Sequence, residues 1–112
     1  MDTLNEEKLV AIEIDFNELK KNKLNESFLA MFGSTIKLIL DGMFGGAHVP
    51  AYLRGTRSDV NAFATTLGRE KKYLEAAKKY GLDDPRTFQN KSKLQKAAQN
   101  FEAATGLKWP FK

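Results

Sequence analysis

The pattern of apolar and polar residues has a period of two near the start of the chain. Over residues 9–16 one side carries the apolar Ile12, Ile14 and Phe16, and the acids between them fall on the other side. This alternation predicts a half-buried strand. Asp15 at its end is a cap for a short helical turn over residues 17–21.

From Asn25 the period changes to that of an amphipathic helix. Apolar residues recur at spacings of three and four, so they share one helical face, and Gly45-Gly46 marks the end of the pattern. These residues are Phe28, Phe32, Ile36, Ile39, Leu40 and Met43. A strand over residues 35–40 is the alternative, because β-branched residues there favour extended backbone.

The remaining pattern predicts a second strand and further helices. Residues 51–55 read as a strand, and Thr56 with Asp59 forms a capping-box pattern that starts a helix. Asp84-Pro85 predicts a single helical turn. Ser92 with Gln95 is another capping box, which is typical of the start of a last helix.

The element order predicts one domain over residues 1–112 with an α+β, helix-rich fold. A chain of 112 residues has the usual size of a single domain. The order β-α-β-α-α gives a small two-stranded sheet packed against helices, and a crossover between the strands makes them parallel. A sheet of two strands needs helices over it or a partner's strand beside it. We therefore expect the chain to assemble with a partner.

The composition removes several kinds of chemistry. The chain has no Cys, which excludes disulfides, thiolate metal sites and thiol catalysis. His48 is the only imidazole, and it lies in a Gly-rich loop without a nucleophile beside it. Metal-binding and phosphate-binding motifs are absent from the sequence. We therefore expect no enzymatic activity, no cofactor and no metal.

The most apolar stretch, residues 27–44, is interrupted by Lys37 and Asp41 and by two glycines. On this pattern it is interpreted as too short and too polar to span a bilayer. Charges recur before residue 20, so the pattern of a signal peptide is not visible. These features favour a soluble cytoplasmic protein without a membrane partner.

Charge is unevenly distributed along the chain. Residues 1–48 hold 8 acids and 5 bases, whereas residues 49–112 hold 13 bases and 6 acids. The basic half fits a polyanion such as nucleic acid, or an acidic partner surface. Solvated helix faces give the same excess of lysine, and this alternative stays open.

The turn that leads into the second long helix is the candidate anion-binding or partner-binding site. A helix N-terminus offers free amides and a favourable dipole, and arginines flank it here. A well-capped turn without a ligand is the alternative. With a basic cluster on the following helix, the candidate residues are Arg54, Thr56, Arg57, Ser58, Arg69, Lys71 and Lys72.

The C-terminal tail holds the only Trp of the chain. Trp109 and Phe111 are candidate partner anchors, because Trp is favoured at the centre of interfaces. Folding of this apolar tail back onto its own domain is the alternative.

Three stretches resemble a family of viral proteins. They are RGTRS at residues 54–58, KYGLDDPRT at residues 79–87 and TGLKWPFK at residues 105–112. They are similar to small uncharacterised proteins encoded by tailed phages of marine bacteria. The resemblance implies a virus-encoded, non-enzymatic protein of a virion or of an infected host cell, and it brings no catalytic residues.

The leading functional hypothesis is a non-enzymatic assembly or protein-interaction module that works as an oligomer, a small phage virion or accessory protein. The expected partner is a second copy of the chain or another protein. The alternative is a nucleic-acid-binding protein that uses the basic C-terminal half.

Overall fold

The part of the chain that the structure describes contains two short strands and four helices. The structure is a computed structural model that describes residues 12–46 and 50–111. In chain order the elements are β1 (Ile12–Asp15), α1 (Phe16–Lys21), α2 (Glu26–Phe44), β2 (Ala51–Arg54), α3 (Arg57–Tyr80) and α4 (Pro85–Thr105). The α+β, helix-rich fold predicted from the sequence is confirmed.

The two strands form a parallel two-stranded sheet, as predicted. Their register pairs Ile12 with Ala51 and Asp15 with Arg54. Ile14 is buried, so the alternation in β1 does separate a covered side from an exposed one. Residues 9–11 of the predicted strand lie outside the described residues.

Helix α2 runs without interruption through residues 35–40, so the strand alternative for that segment is wrong. Asn25 caps the helix, because its Oδ1 accepts hydrogen bonds from the amides of Ser27 at 2.9 Å and Phe28 at 3.2 Å. Burial of an apolar face outweighs the weak propensity of its β-branched residues. The buried residues of that face are Phe32, Ile36, Ile39 and Leu40.

Internal contacts divide the chain into two units, one up to Gly55 and one from Thr56 onward. The first unit contains the sheet, α1 and α2. Its core includes Phe16 and Phe32, whose rings meet edge to face with centroids 6.1 Å apart. The interpretation of the chain as one domain stays a prediction.

The second unit is built on α3 and α4, which pack against each other. The Thr56–Asp59 capping box that starts α3 is confirmed. Asp84 caps α4 and Pro85 is its first residue, but the helix then continues to Thr105. The prediction of a separate helix start at Ser92 is wrong, because Thr87 before it and Leu94 after it belong to one continuous buried face.

Candidate functional site

Helix α2 carries a second line of apolar side chains beside its buried face. We call this line the α2 stripe; it consists of Leu24, in the turn just before the helix, and of Phe28, Met31, Thr35, Leu38 and Gly42 within the helix. Its large apolar side chains are exposed by 90% at Leu24, 37% at Phe28, 68% at Met31 and 57% at Leu38. Single exposed apolar residues are ordinary, but a continuous line of them marks an interaction surface.

The charged residues of α2 lie away from this stripe. The stripe and the buried face lie side by side and together form one apolar sector of the helix. At about 100° per residue, Lys37 and Asp41 fall on the side opposite to the middle of that sector. Apolar residues therefore occupy more than half of the helix circumference, and the structure covers only the part around Ile36 and Ile39.

An open groove lies between the α2 stripe and the corner where β1 enters α1. Its apolar lining includes Ile14, Leu19 and Phe32, together with three residues of the stripe. Three carboxylates line it too, those of Glu13, Asp15 and Glu18. The groove thus joins the stripe to an apolar floor with an acidic rim.

The rim carboxylates already have local partners. Asp15 Oδ1 accepts hydrogen bonds from the amides of Asn17 and Glu18 and so caps α1. Glu18 lies 3.8 Å from the Lys21 ammonium in an exposed pair, which stabilises little. The rim is therefore a polar border of the apolar groove rather than a ligand-binding cluster.

The small sheet adds uncovered surface to the same unit. Parallel sheets normally have both faces covered. Here three of the four residues of β2 are exposed, among them Tyr52 at the centre of the strand. The deficit predicted for a two-stranded sheet is present in this unit.

Helix α2 is also long and apolar enough, by length and composition alone, to cross a membrane. It has 19 residues with a mean hydropathy of 1.3 over its most apolar window, of which 22% is buried. The stretch therefore has the length and composition that the sequence-based argument denied it, and the expectation of no membrane partner stays a prediction. The core helix of a soluble protein or a signal sequence can be equally long and apolar, so the finding by itself does not distinguish a membrane from a protein partner.

The turn predicted as an anion site is capped by the chain's own side chains. Thr56 Oγ1 accepts from the Asp59 amide and the Asp59 carboxylate accepts from the Thr56 amide, both at 3.0 Å. The Asp59 side chain is fully buried, so a carboxyl group of the chain itself already occupies the N-terminus of α3. That group takes the position that an anion would need at the helix end.

The other residues of the predicted turn site are exposed. Arg54 is the last residue of β2, and its Nε lies 3.9 Å from Glu13 Oε1. Arg57 and Ser58 are the first two residues of α3. Both are exposed.

The predicted basic cluster on α3 is only partly available. Arg69 and Lys71 are half-buried, and Lys71 Nζ lies 3.5 Å from Glu75. Lys72 is exposed and lines an open groove of the second unit together with Lys79, Tyr80 and Asn90.

Arg86 is held by two neighbours in the same unit. Its side chain bonds both carboxylate oxygens of Asp84 at 3.0 Å, and its guanidinium lies 3.6 Å from the centre of the Tyr80 ring. Hydrogen bonds from the Arg86 side chain and backbone hold the pKa of the Asp84 carboxyl below its usual value. One face of Tyr80 is therefore covered and unavailable for base stacking.

The tail folds back onto its own unit, which corrects the interpretation of Trp109 as a partner anchor. Its indole is 8% exposed and packs edge to face on Phe101, with centroids 5.3 Å apart. The ring of Phe63 lies 6.0 Å away. Phe111 is half-buried against Trp109, with a centroid distance of 6.2 Å.

Sequence reasoning missed two features of these surfaces. The first is the α2 stripe. Its signal in the sequence is the seven-residue spacing of Leu24, Met31 and Leu38. Glu70 is buried on the face that also carries Phe63, seven residues earlier. Burial raises the pKa of the Glu70 carboxyl, while a hydrogen bond from Trp109 acts in the opposite direction.

Within residues 12–46 and 50–111, no group of three or more metal-ligating side chains is suited to hold a metal ion. His48 lies outside the described residues. In comparisons with known proteins, no family model, no curated protein and no solved structure matches the chain.

Proposed function

We propose that this chain is a non-enzymatic assembly module that binds a protein surface through the α2 stripe. The observation that carries the proposal is the line formed by Leu24, Met31 and Leu38, each more than half exposed. Covering such side chains stabilises a complex by about 25 cal/mol for each Å² of apolar surface removed from water. The expected partner is a second copy of the chain.

The distribution of charge on α2 favours a protein partner over a membrane. A helix that crosses a bilayer would carry Lys37 and Asp41 into the hydrocarbon, where charges are expensive. A helix that lies on a membrane usually has lysine and arginine on its polar side. The polar side of α2 instead has Lys37 balanced by Asp41, with Glu26 at the start of the helix.

Two further features support an assembly role. The two-stranded sheet leaves Tyr52 exposed, so the first unit has more than one uncovered surface. The resemblance to proteins of tailed phages fits a small virion or accessory protein. Such a protein would work in the cytoplasm of an infected cell or within the virion.

Sedimentation over a wide range of concentrations tests the proposal. The disruptive variant is M31E/L38E, which places two carboxylates in the stripe. The matched control is A30E/K37Q, which changes the net charge by the same amount at the two neighbouring, exposed positions outside the stripe. Circular dichroism shows whether both variants keep the helical content of the natural chain.

We expect the natural chain and A30E/K37Q to gain mass with concentration, and M31E/L38E to stay monomeric. A monomer at every concentration for the natural chain would overturn the proposal. Co-flotation of the chain with neutral phosphatidylcholine vesicles, lost in M31E/L38E, would overturn it too, because the stripe would then be a membrane surface.

Nucleic-acid binding is the second candidate function, and the charge of the second unit favours it. Residues 56–112 hold 12 bases and 6 acids. Two of those acids, Asp59 and Glu70, are buried. Asp84 and Glu75 are engaged by Arg86 and Lys71. These ion pairs do not change the net charge, but the burial of Asp59 and Glu70 leaves the solvent-facing charge of this unit more positive than its sequence total.

A fluorescence titration with a labelled oligonucleotide at two salt concentrations tests the second candidate. Binding through phosphates weakens steeply with salt, because counterions are released. Because Asp59 caps α3, we expect R54Q/R57Q and K72Q/K79Q, which each remove two positive charges, to weaken binding to a similar extent. A much larger loss from R54Q/R57Q would place the site at the turn. Absence of binding at low salt eliminates this candidate.

A further inference from the structure

We propose that α2 pairs antiparallel with α2 of a second copy, with the two stripes facing each other. The inference rests on the proposed function, since it names the partner and the geometry of the same surface. It concerns residues 24–42 only and requires no contribution from the second unit.

The spacing of the stripe is that of a coiled-coil seam. Within the helix its members follow one another at alternating steps of three and four residues from Phe28 to Gly42, and Leu24 precedes them in the turn before the helix. This is the spacing of heptad positions that face a partner helix, where side chains of one helix fill the spaces of the other. An exposed seam of this kind requires a second helix rather than a flat surface.

The side chains of the stripe complement one another when two copies run in opposite directions. In that arrangement each layer joins a residue of one copy to a different residue of the other. The helical layers are Phe28 with Leu38 and Met31 with Thr35, each formed twice by symmetry, and Gly42 lies opposite the turn that holds Leu24 of the other copy. Every layer then contains at least one large apolar side chain.

A parallel pair would fill the seam less well. Each layer would join a residue to its own copy, so Gly42 would face Gly42 and Thr35 would face Thr35. The Gly42 layer would leave a void, and the Thr35 layer would lack a large apolar side chain. Interfaces normally pack as densely as protein interiors. The opposed helix dipoles of the antiparallel pair add a small preference in the same direction.

Thr35 is compatible with burial in such a seam. Its Oγ1 already donates a hydrogen bond of 2.8 Å to the Met31 carbonyl in the preceding turn. Covering Thr35 therefore leaves no hydroxyl without a partner, which avoids the usual cost of a buried polar group. The methyl group of the same side chain remains to contact Met31 of the other copy.

The available area sets the strength of this pairing. At roughly 150 Å² for a free side chain of this size, the exposed fractions of Leu24, Phe28, Met31 and Leu38 amount to roughly 400 Å² per copy. Two copies bury roughly 800 Å², and the flanking residues bring the total close to the 1,000 Å² or so of a specific interface. We therefore expect a weak dimer whose population depends on concentration.

The natural absence of cysteine makes a crosslinking experiment direct. The single variants F28C and L38C are prepared separately and oxidised in a glutathione buffer, first alone and then mixed. In the antiparallel pair, residue 28 of one copy faces residue 38 of the other, while two copies of residue 28 lie about 15 Å apart along the axis. A disulfide needs Cα atoms within about 7 Å.

We expect the mixture to give about tenfold more crosslinked dimer than either variant alone, since only the mixed pair meets that distance limit. Mass spectrometry of the linked peptide identifies the 28–38 bond. The variants L24C and G42C repeat the test at positions away from the buried face, in case F28C disturbs folding.

The outcomes separate the two proposals. Crosslinks within F28C alone and within L38C alone would show a parallel pair and overturn the inference. A chain that self-associates in sedimentation but gives no crosslink in either mixture would also overturn it, while leaving the assembly function in place. A chain that is monomeric at every concentration would overturn both.

Discussion

The indole Nε1 of Trp109 donates a hydrogen bond of 2.9 Å to Oε1 of Glu70, and both side chains are buried. Glu70 lies near the middle of α3, whereas Trp109 follows the end of α4. The bond therefore ties the C-terminal tail to a helix that is distant in sequence. If a buried carboxylate loses such a donor, no hydrogen bond offsets the free-energy cost of its desolvation.

Trp109→Phe should destabilise the second unit. The substitution removes the donor to Glu70 and part of the ring that packs on Phe101, so we expect a loss of about 2–4 kcal/mol in the free energy of unfolding. Urea unfolding followed by circular dichroism measures it. Phe111→Leu, at the half-buried neighbour, should cost clearly less, and equal losses from the two variants would contradict this account.

The stability of the fold should depend on the protonation of Glu70. Because burial raises the pKa of Glu70 above its ordinary value of 4.5, the folded chain holds this proton more tightly than the unfolded chain. The contribution of Glu70 to stability is therefore fully present at acid pH and is lost as pH rises from 4.5 through the folded pKa. Glu70→Gln keeps an oxygen acceptor for Trp109 and should remove this pH dependence.

Urea unfolding of E70Q and of the natural chain across this pH range measures the effect. We expect the free energy of unfolding of E70Q at neutral pH to equal or exceed that of the natural chain. Glu75→Gln is the matched control, because Glu75 is exposed and pairs only with Lys71 among the ion pairs seen in the second unit's described residues. If E75Q changed the pH profile as much as E70Q does, Glu70 would not be its source.

Two glycines should respond in opposite directions to the same substitution. Gly106 ends α4 with φ of 76°, a backbone conformation that side chains oppose, whereas Gly68 lies inside α3 with nothing within 4 Å of an added Cβ. Gly106→Ala should cost about 1 kcal/mol, and Gly68→Ala should stabilise by a similar amount. Thermal melts of both variants measure the difference, and a shift in the same direction for both would contradict it.

Thr87 should stabilise the connection between α3 and α4 through its hydroxyl. Its Oγ1 lies 2.7 Å from the Gly81 carbonyl and 3.2 Å from the Ala76 carbonyl. Thr87→Val keeps the shape and removes the donor, so we expect a loss of about 1–2 kcal/mol in the free energy of unfolding. Thr65→Val, at an exposed position of α3, should change stability little.

Features that depend on neighbouring residues were predictable from the sequence. The caps at Asp15, Asn25 and Thr56 form as expected, because a side chain that bonds an amide two or three residues away needs no tertiary structure. The parallel pairing of the strands follows from the helical crossover between them. The same local logic fails at Ser92, where the capping pattern lies on the exposed side of a continuous helix.

Features that depend on distant packing were not predictable in this way. The direction of the tail is decided by the rings of Phe101 on α4 and of Phe63 on α3, and Phe63 is far from Trp109 in sequence. The exposure of Met31 and Leu38 depends on which face of α2 the rest of the unit covers. The sequence placed apolar residues on a helix correctly, but only the structure separates the covered face from the uncovered stripe.

The pairing of Ile12 with Ala51 also has a kinetic consequence. The sheet of the first unit closes a long loop before any strand contact is gained, whereas α3 and α4 are joined by a short turn, so their first contacts can form beside that turn and extend outward from it. Loop closure slows folding as sequence separation grows. We therefore expect the second unit to fold faster than the first. During synthesis the apolar α2 emerges before β2, the strand that completes its unit, and in that interval the exposed helix is most prone to misassembly.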